Sequence, residues 1–85
     1  MYLHLGCEAL VRSSEIVGLF DLDTTTVSGV SRAFLHAAQE RGEIRPLGNE
    51  LPKSFVLAEK GGATRVFLSP LAVATLLKRT ETELY

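Results

Sequence analysis

The 85-residue chain is 46% hydrophobic and 22% charged, and its nine Lys/Arg against ten Asp/Glu give a formal net charge of −1. This composition excludes intrinsic disorder and predicts one folded domain, while no apolar run reaches the roughly 20 residues that a membrane-spanning helix needs. The start of the chain lacks the basic and apolar regions of a secretory signal, and the single cysteine, Cys7, has no internal disulfide partner, so we expect a cytoplasmic protein.

Three short strands are predicted at the start of the chain. Residues 2–5 and 9–12 predict a pair of strands around a turn at Gly6. Residues 15–21 (EIVGLFD) predict a stronger strand, because branched and aromatic side chains dominate the segment. Most of its side chains are apolar, so both faces of this strand require cover.

A helix is predicted over residues 27–41, where apolar side chains recur at helical spacing. Asp21, Asp23 and the following threonines offer N-caps for it, because their short side chains accept hydrogen bonds from the first turn. Gly42 stands where helices commonly end in the left-handed backbone region. The predicted inward face of this helix consists of Val27, Val30, Phe34, Ala37 and Ala38.

A β-hairpin over residues 54–68 is the clearest local signal in the second half. Gly61 and Gly62 can take the positive φ angles of a tight turn without steric cost. Residues 44–47 predict an edge strand before it, since Pro46 cannot donate to a central ladder. The turn predicts Leu57 opposite Val66 and Phe55 opposite Leu68 on one face, and Val56 opposite Phe67 and Ala58 opposite Arg65 on the other.

A second helix is predicted from Ser69 and Pro70, as N-cap and first helical residue, through about Arg79. Residues 81–85 are predicted to be a frayed tail. The predicted inward face of this helix consists of Ala72, Val73, Leu76 and Leu77.

The predicted fold class is α+β, with a small antiparallel β-sheet and two short helices in one domain over residues 1–80. The strand at 15–21 and the hairpin at 54–68 are apolar on both faces, whereas two short helices would cover one face. A second copy of the chain is the simplest further cover, so the pattern predicts a homo-oligomer. The alternative is a tightly wrapped monomer whose strands are protected by loops.

Few residues suggest catalysis or metal binding. His4, Cys7 and His36 are the only soft metal ligands, and a His-x-x-Cys pair cannot complete a four-ligand zinc site. Asp21 and Asp23 are explained by helix capping, and no paired carboxylates share a predicted face. The sequence therefore predicts a non-enzymatic protein without metal or cofactor.

Basic side chains remain as candidates for phosphate contacts. Because the whole chain is not basic, any binding to double-stranded DNA must come from a local patch, multiplied by assembly. The candidates are Lys53, Arg32, Arg12, Arg45, Arg65, Lys78 and Arg79.

Five segments, in order and spacing, resemble the bacterial extracellular matrix regulators of the RemA/RemB family, and the resemblance is stronger to RemB. They are residues 1–6 (MYLHLG), 16–21 (IVGLFD), 52–56 (PKSFV), 68–71 (LSPL) and 75–79 (TLLKR). The resemblance implies a non-enzymatic cytoplasmic regulator of biofilm-matrix gene expression. It also implies a ring of subunits that binds DNA, and a fold similar to LytTR-type DNA-binding domains.

The chain departs from the family at positions that carry charge. Glu15, Glu50 and Leu51 stand where RemA-like chains have arginines, whereas Lys53 and Arg32 keep a basic residue at a matching position. Since a carboxylate repels phosphate, we expect DNA binding weaker than that of RemA, with Lys53 and Arg32 as the leading contacts.

An alternative function is a protein-interaction module that binds no DNA itself. Such an oligomer would associate with a related, more basic regulator and modify its assembly. Glu15 and Glu50 motivate this alternative, because their carboxylates could pair with arginines of that partner.

Overall fold

The computed structural model describes residues 2–7, 9–22 and 29–83. This part of the chain contains six strands, a short 3₁₀ helix and two α-helices. In chain order they are β1 (Tyr2–Gly6), β2 (Ala9–Arg12), the 3₁₀ helix (Ser13–Glu15), β3 (Ile16–Asp21), α1 (Gly29–Glu40), β4 (Ile44–Pro46), β5 (Ser54–Lys60), β6 (Ala63–Ser69) and α2 (Val73–Glu83).

The strands form two sheets, and the α+β fold class is confirmed. β1 and β2 form an antiparallel pair, and the larger sheet has the strand order β3-β5-β6-β4. β3 pairs antiparallel with β5 and β5 with β6, but β4 runs parallel to β6. The larger sheet is therefore mostly antiparallel, as predicted, but β4 adds one parallel pair. This pair arises because α1 carries the chain back to the end of the sheet at which β3 begins, so β4, at the opposite edge, runs in the same direction as β3.

The β5–β6 hairpin has the predicted register. Leu57 lies opposite Val66, and the other three predicted pairs are also present. Gly61 and Gly62 form the turn with φ angles of +58° and +83°. The prediction succeeds because a two-residue glycine turn fixes the alignment of both strands.

Each face of the larger sheet has its own hydrophobic core. On one face, Val56 and Ala58 pack against Leu3, Leu5 and Val11 of the β1–β2 pair and Leu76 of α2. On the opposite face, Phe55 and Val66 pack against Ala38 of α1, with Phe34 and Leu35 beside them. The premise that both helices cover the same face is wrong. An uncovered strand face therefore no longer argues for assembly, and the homo-oligomer stays a prediction.

A β-bulge in β3 adjusts which side chains reach the two cores. Ile16 pairs with Ala58 and Gly18 with Leu57, which leaves Val17 unpaired and 62% exposed. A side chain at position 18 would collide with the Phe20 ring, because a Cβ there would lie 2.8 Å from two ring carbons. The Phe20 ring stacks in turn on Phe55 with a centroid separation of 4.8 Å.

Helix α1 ends at Glu40, and Gly42 just beyond it has the predicted left-handed backbone, with φ +69°. The N–H of Gly42 bonds the carbonyl of Gln39, and the N–H of Glu43 bonds that of Ala38. Of the predicted inward face, Ala38 is buried and Phe34 and Ala37 are half-buried. Val27, the side chain of Val30 and the predicted capping residues 23–26 lie outside the described residues.

Helix α2 begins at Val73 and extends to Glu83, so Ser69 is not its N-cap. The Ser69 hydroxyl instead donates to the carbonyl of Leu5 at 2.6 Å and accepts from the N–H of Leu71 at 3.1 Å. This contact between distant segments replaces the local cap. Leu77, predicted to face inward, is 51% exposed, whereas Leu76 is fully buried as predicted.

Candidate nucleic-acid interface

Three cationic side chains line one shallow polar cavity at the hairpin end of the larger sheet. The cavity has a volume of about 220 Å³. Arg12 ends β2, Lys60 ends β5, and Arg65 lies on β6. We call this cavity the cationic pocket; its lining residues are Tyr2, Leu10, Val11, Arg12, Glu15, Lys60 and Arg65.

One carboxylate, Glu15, faces these cations. The 3₁₀ helix between β2 and β3 places it beside Arg65, with 3.5 Å between Glu15 Oε1 and Arg65 Nη2. The Glu15 side chain is only 15% exposed, so its charge is directed into the pocket and not toward solvent. Three cations against one carboxylate leave the cationic pocket with a net charge of +2.

Aromatic rings orient both arginines. The Arg12 guanidinium lies 5.9 Å from the centroid of the Tyr2 ring, and that of Arg65 lies 5.7 Å from the centroid of Phe67. A hydrogen bond to Tyr2, together with the charges of Tyr2 and Glu15, raises the pKa of Arg12 above its ordinary value. Arg12 is exposed and therefore available to an external anion.

Lys60 was missed by the sequence prediction, although the pattern contained the signal. Lys60 lies two residues after Ala58, and Ala58 pairs with Arg65. Side chains two residues apart share one face of a strand, so the predicted register already placed Lys60 beside Arg65.

Lys53 and Arg32, the leading sequence candidates, lie outside the cationic pocket. The main chain of Lys53 is fixed between two neighbours: its N–H bonds the carbonyl of Ser69, and its carbonyl accepts from Leu22. Its side chain is exposed. Arg32 is exposed on α1 and lines a different cavity together with Pro52, the residue before Lys53.

The remaining three candidates lie elsewhere on the surface. Arg45 on β4 donates to the carbonyls of Gly42 at 2.7 Å and Ile44 at 3.3 Å. Lys78 and Arg79 lie on α2, where Arg79 donates to the carbonyl of His4 at 3.3 Å. The structure thus brings together Arg12 and Arg65 of the seven candidates, and it separates the others into distinct regions.

The residues weighed for metal binding or catalysis lie on separate elements. Cys7 is exposed in the β1–β2 turn, and His36 on α1 lies 3.5 Å from Glu40. Within the described ranges, no three His, Cys, Asp or Glu side chains gather into a possible metal site. In the same part of the chain, neither helix has the length and apolar character required to cross a membrane.

Comparison with known proteins identifies the family to which the chain belongs. No protein-family profile matches the chain. Extracellular matrix regulatory protein B of Bacillus subtilis (strain 168) is 33% identical over 81 residues, which cover 95% of this chain and 91% of the relative. The chain belongs to the RemB family.

The three positions that the sequence resemblance singles out as departures from RemA-like chains fall in two places. Glu15 lies within the cationic pocket. Glu50 and Leu51 lie in the loop between β4 and β5, and both are exposed. The other polar side chains that line this pocket are three cations and one phenol, so the carboxylate at position 15 lowers the positive charge of the whole pocket.

Proposed function

We propose that this RemB-family chain is a non-enzymatic cytoplasmic regulator of extracellular-matrix gene expression, and that it contacts DNA as a homo-oligomer. The name of the Bacillus relative supports a role in matrix regulation. The observation that carries the DNA contact is the cationic pocket, where Arg12, Lys60 and Arg65 converge.

The pocket suits phosphate better than any base edge. It is a shallow depression of about 220 Å³, and its cations come from the ends of β2 and β5 and from β6. Guanidinium groups bind phosphate oxygens through paired hydrogen bonds, and each contact releases counterions from the duplex. Such contacts fix position and carry no sequence information, so specificity would come from duplex shape.

The resemblance to RemA-like chains supports the same location. Those chains have an arginine at the position of Glu15, and position 15 lines the cationic pocket. In this chain, Glu15 partly neutralises the charge of Arg65, because the two charged groups lie 3.5 Å apart. Arg12 and Lys60 are the two cations of the pocket that form no such ion pair with Glu15. The expected result is DNA binding that is retained but weaker than that of RemA.

Self-assembly would amplify this weak contact, because each subunit contributes one pocket. The outer edge of β3 is a suitable place for a second copy, since β3 is the last strand of its sheet. Val17 is exposed there, and it borders an apolar depression of about 170 Å³ that Phe34 and Leu57 also line. Exposed edge strands with apolar side chains readily pair with another chain.

Substitution of Arg12 tests the proposed DNA contact. Arg12→Gln removes one exposed cation from the pocket, and Arg45→Gln is the matched control because Arg45 is exposed on β4, at the opposite edge of the sheet from β3 and outside the pocket. Fluorescence anisotropy with a labelled duplex should show weaker binding for Arg12→Gln and nearly unchanged binding for Arg45→Gln. Equal affinities for Arg12→Gln and Arg45→Gln would contradict the proposed location.

The same assay tests the earlier candidates. If Lys53 and Arg32 provide the main phosphate contacts, Lys53→Gln and Arg32→Gln each weaken binding more than Arg12→Gln does. The proposal predicts the opposite order, with Arg12→Gln weakening binding the most.

A second candidate function, a protein-interaction module, is favoured by one observation. Leu51 is 88% exposed and adjoins the exposed Glu50. An apolar side chain beside a carboxylate suits a protein surface better than a phosphate. Glu15 no longer supports this function, because Arg65 of the same chain already pairs with it.

Mixing the purified chain with a purified, more basic relative tests this second function. Native mass spectrometry should detect mixed oligomers, and Leu51→Ser should reduce them while each protein alone keeps its own mass. Absence of mixed species for the unaltered chain would rule out co-assembly with that relative.

A further inference from the structure

Another cavity lies between α1 and the larger sheet, on the face opposite α2. Its volume is about 380 Å³, which is at the lower end of the range for small-molecule sites. We call it the α1 pocket. Its lining residues are Leu22, Arg32, Leu35, His36, Gln39, Ile44, Pro52 and Leu68.

The α1 pocket has an apolar interior and a polar rim. Five of the eight described residues that line it are aliphatic or proline: Leu22, Leu35 of α1, Ile44 of β4, Pro52 and Leu68 of β6. The three polar residues, Arg32, His36 and Gln39, are all exposed. They follow one another at spacings of four and three along α1, which places them on one side of the helix.

The charge of the rim is complementary to an anion. None of the eight described residues that line the pocket is acidic, and Arg32 carries a permanent positive charge. Of the three polar rim residues, His36 has an acidic neighbour on the same helix: Glu40 Oε1 lies 3.5 Å from His36 Nε2. Glu40 is one helical turn beyond His36, on the side away from Arg32.

We propose that the α1 pocket binds a small amphipathic carboxylic acid. The hydrocarbon part packs against Leu35 and Leu68, and the carboxylate accepts hydrogen bonds from the Arg32 guanidinium. The volume suits a short or medium-length acyl or aromatic acid. This site is separate from the cationic pocket, and the proposal does not depend on DNA binding.

Occupancy of the α1 pocket would also contact the segment that holds Lys53. Pro52 lines the pocket, and the N–H of Leu22, another lining residue, bonds the carbonyl of Lys53 at 3.1 Å. A ligand in the pocket would therefore contact Leu22, which donates this hydrogen bond, and Pro52, which precedes its acceptor Lys53. The amide shifts of Leu22 and Lys53 should report binding directly.

Titration of the ¹⁵N-labelled protein with octanoate tests the proposal. Saturable amide shifts should appear at Leu22, Leu35, Ile44 and Leu68, with a dissociation constant below about 1 mM. Octanol lacks the carboxylate and acetate lacks the chain, so both should bind much more weakly than octanoate. Octanol binding as tightly as octanoate would overturn the proposed role of the carboxylate, and acetate binding as tightly would overturn the role of the apolar interior.

Substitution of Arg32 identifies the carboxylate partner. Because a charge-assisted hydrogen bond is lost, Arg32→Gln should weaken octanoate binding about tenfold. Arg41→Gln is the matched control, since it removes the same charge from the surface outside the α1 pocket and should leave binding unchanged. Both substituted residues are exposed, so neither variant should unfold. Equal octanoate affinity in the two variants, or no saturable shift for the unaltered protein, would overturn the proposal.

Discussion

Glu15 controls the charge of the cationic pocket. It is largely enclosed, and it lies 3.5 Å from Arg65. Its carboxylate both reduces the attraction of the pocket for phosphate and gives the half-buried Arg65 a partner. Substitution of Glu15 by a neutral residue should therefore raise the affinity for DNA and lower the stability of the fold.

Glu15→Gln should tighten binding to a DNA duplex several-fold at low salt, because it removes a negative charge from the proposed phosphate site. Glu40→Gln makes the same change of net charge on the exposed side of α1, outside the cationic pocket, and it should have a smaller effect. Fluorescence anisotropy measures both affinities. Unchanged or weaker binding for Glu15→Gln would show that phosphates do not enter this pocket.

The packing of Phe20 explains why position 18 is a glycine. Gly18→Ala should destabilise the protein by about 1–3 kcal/mol, because the added Cβ would lie 2.8 Å from the Phe20 ring that stacks on Phe55. Gly29→Ala is the control, since nothing lies within 4 Å of its added Cβ and alanine favours a helix. Urea unfolding curves should show a lower midpoint for Gly18→Ala only. Equal midpoints would contradict the packing of Phe20.

At the scale of elements, local signals predicted the β5–β6 hairpin but not the start of α2. The Gly61-Gly62 turn fixes the register within the hairpin itself, so neighbouring residues contain all the necessary information. Ser69 and Pro70 have the local pattern of a helix start, but the Ser69 hydroxyl bonds Leu5 from a distant part of the chain. A contact across 64 residues is not visible in local spacing.

Ser69→Ala should lower the free energy of unfolding by about 1–3 kcal/mol, because the carbonyl of Leu5 and the N–H of Leu71 both lose their partner in a buried site. Thr80→Ala is the control, since its hydroxyl bonds Leu77 on an exposed part of α2. Chemical denaturation should separate the two variants. A loss as small for Ser69→Ala as for Thr80→Ala would argue against the contact between Ser69 and Leu5.

Part of the candidate site was also predictable, because the register of the hairpin follows from local sequence. Arg12 and Arg65 were both identified as cations, and the register implied Lys60 beside Arg65. The convergence of Arg12 on that pair was not predictable, because it depends on how the β1–β2 pair packs against the larger sheet. Lys53 and Arg32 were favoured by resemblance, and their role in DNA binding stays a prediction.

At the scale of the whole molecule, the two cores change the argument for assembly. Both faces of the larger sheet are covered by the chain itself, by α1 on one side and by α2 with the β1–β2 pair on the other. Assembly would therefore use an edge of the sheet and not an open face. The apolar Val17 at the β3 edge makes this edge the more suitable of the two.

Val17→Lys should dissociate the proposed homo-oligomer, because it places a charge on the exposed side of the bulge without disturbing either core. Size-exclusion chromatography with light scattering measures the mass of both proteins. A monomeric mass for the unaltered chain would contradict self-assembly, whereas an unchanged oligomer in the variant would move the interface away from β3.

The salt dependence of DNA affinity is the most direct test of phosphate contacts by this near-neutral protein. Affinity for a labelled duplex should fall steeply between about 50 and about 200 mM salt, since each phosphate contact releases counterions. Arg12→Gln should reduce the slope by about one for each subunit in contact with the duplex. A slope that is the same for both proteins, or no binding at the lower salt concentration, would contradict phosphate binding in the cationic pocket.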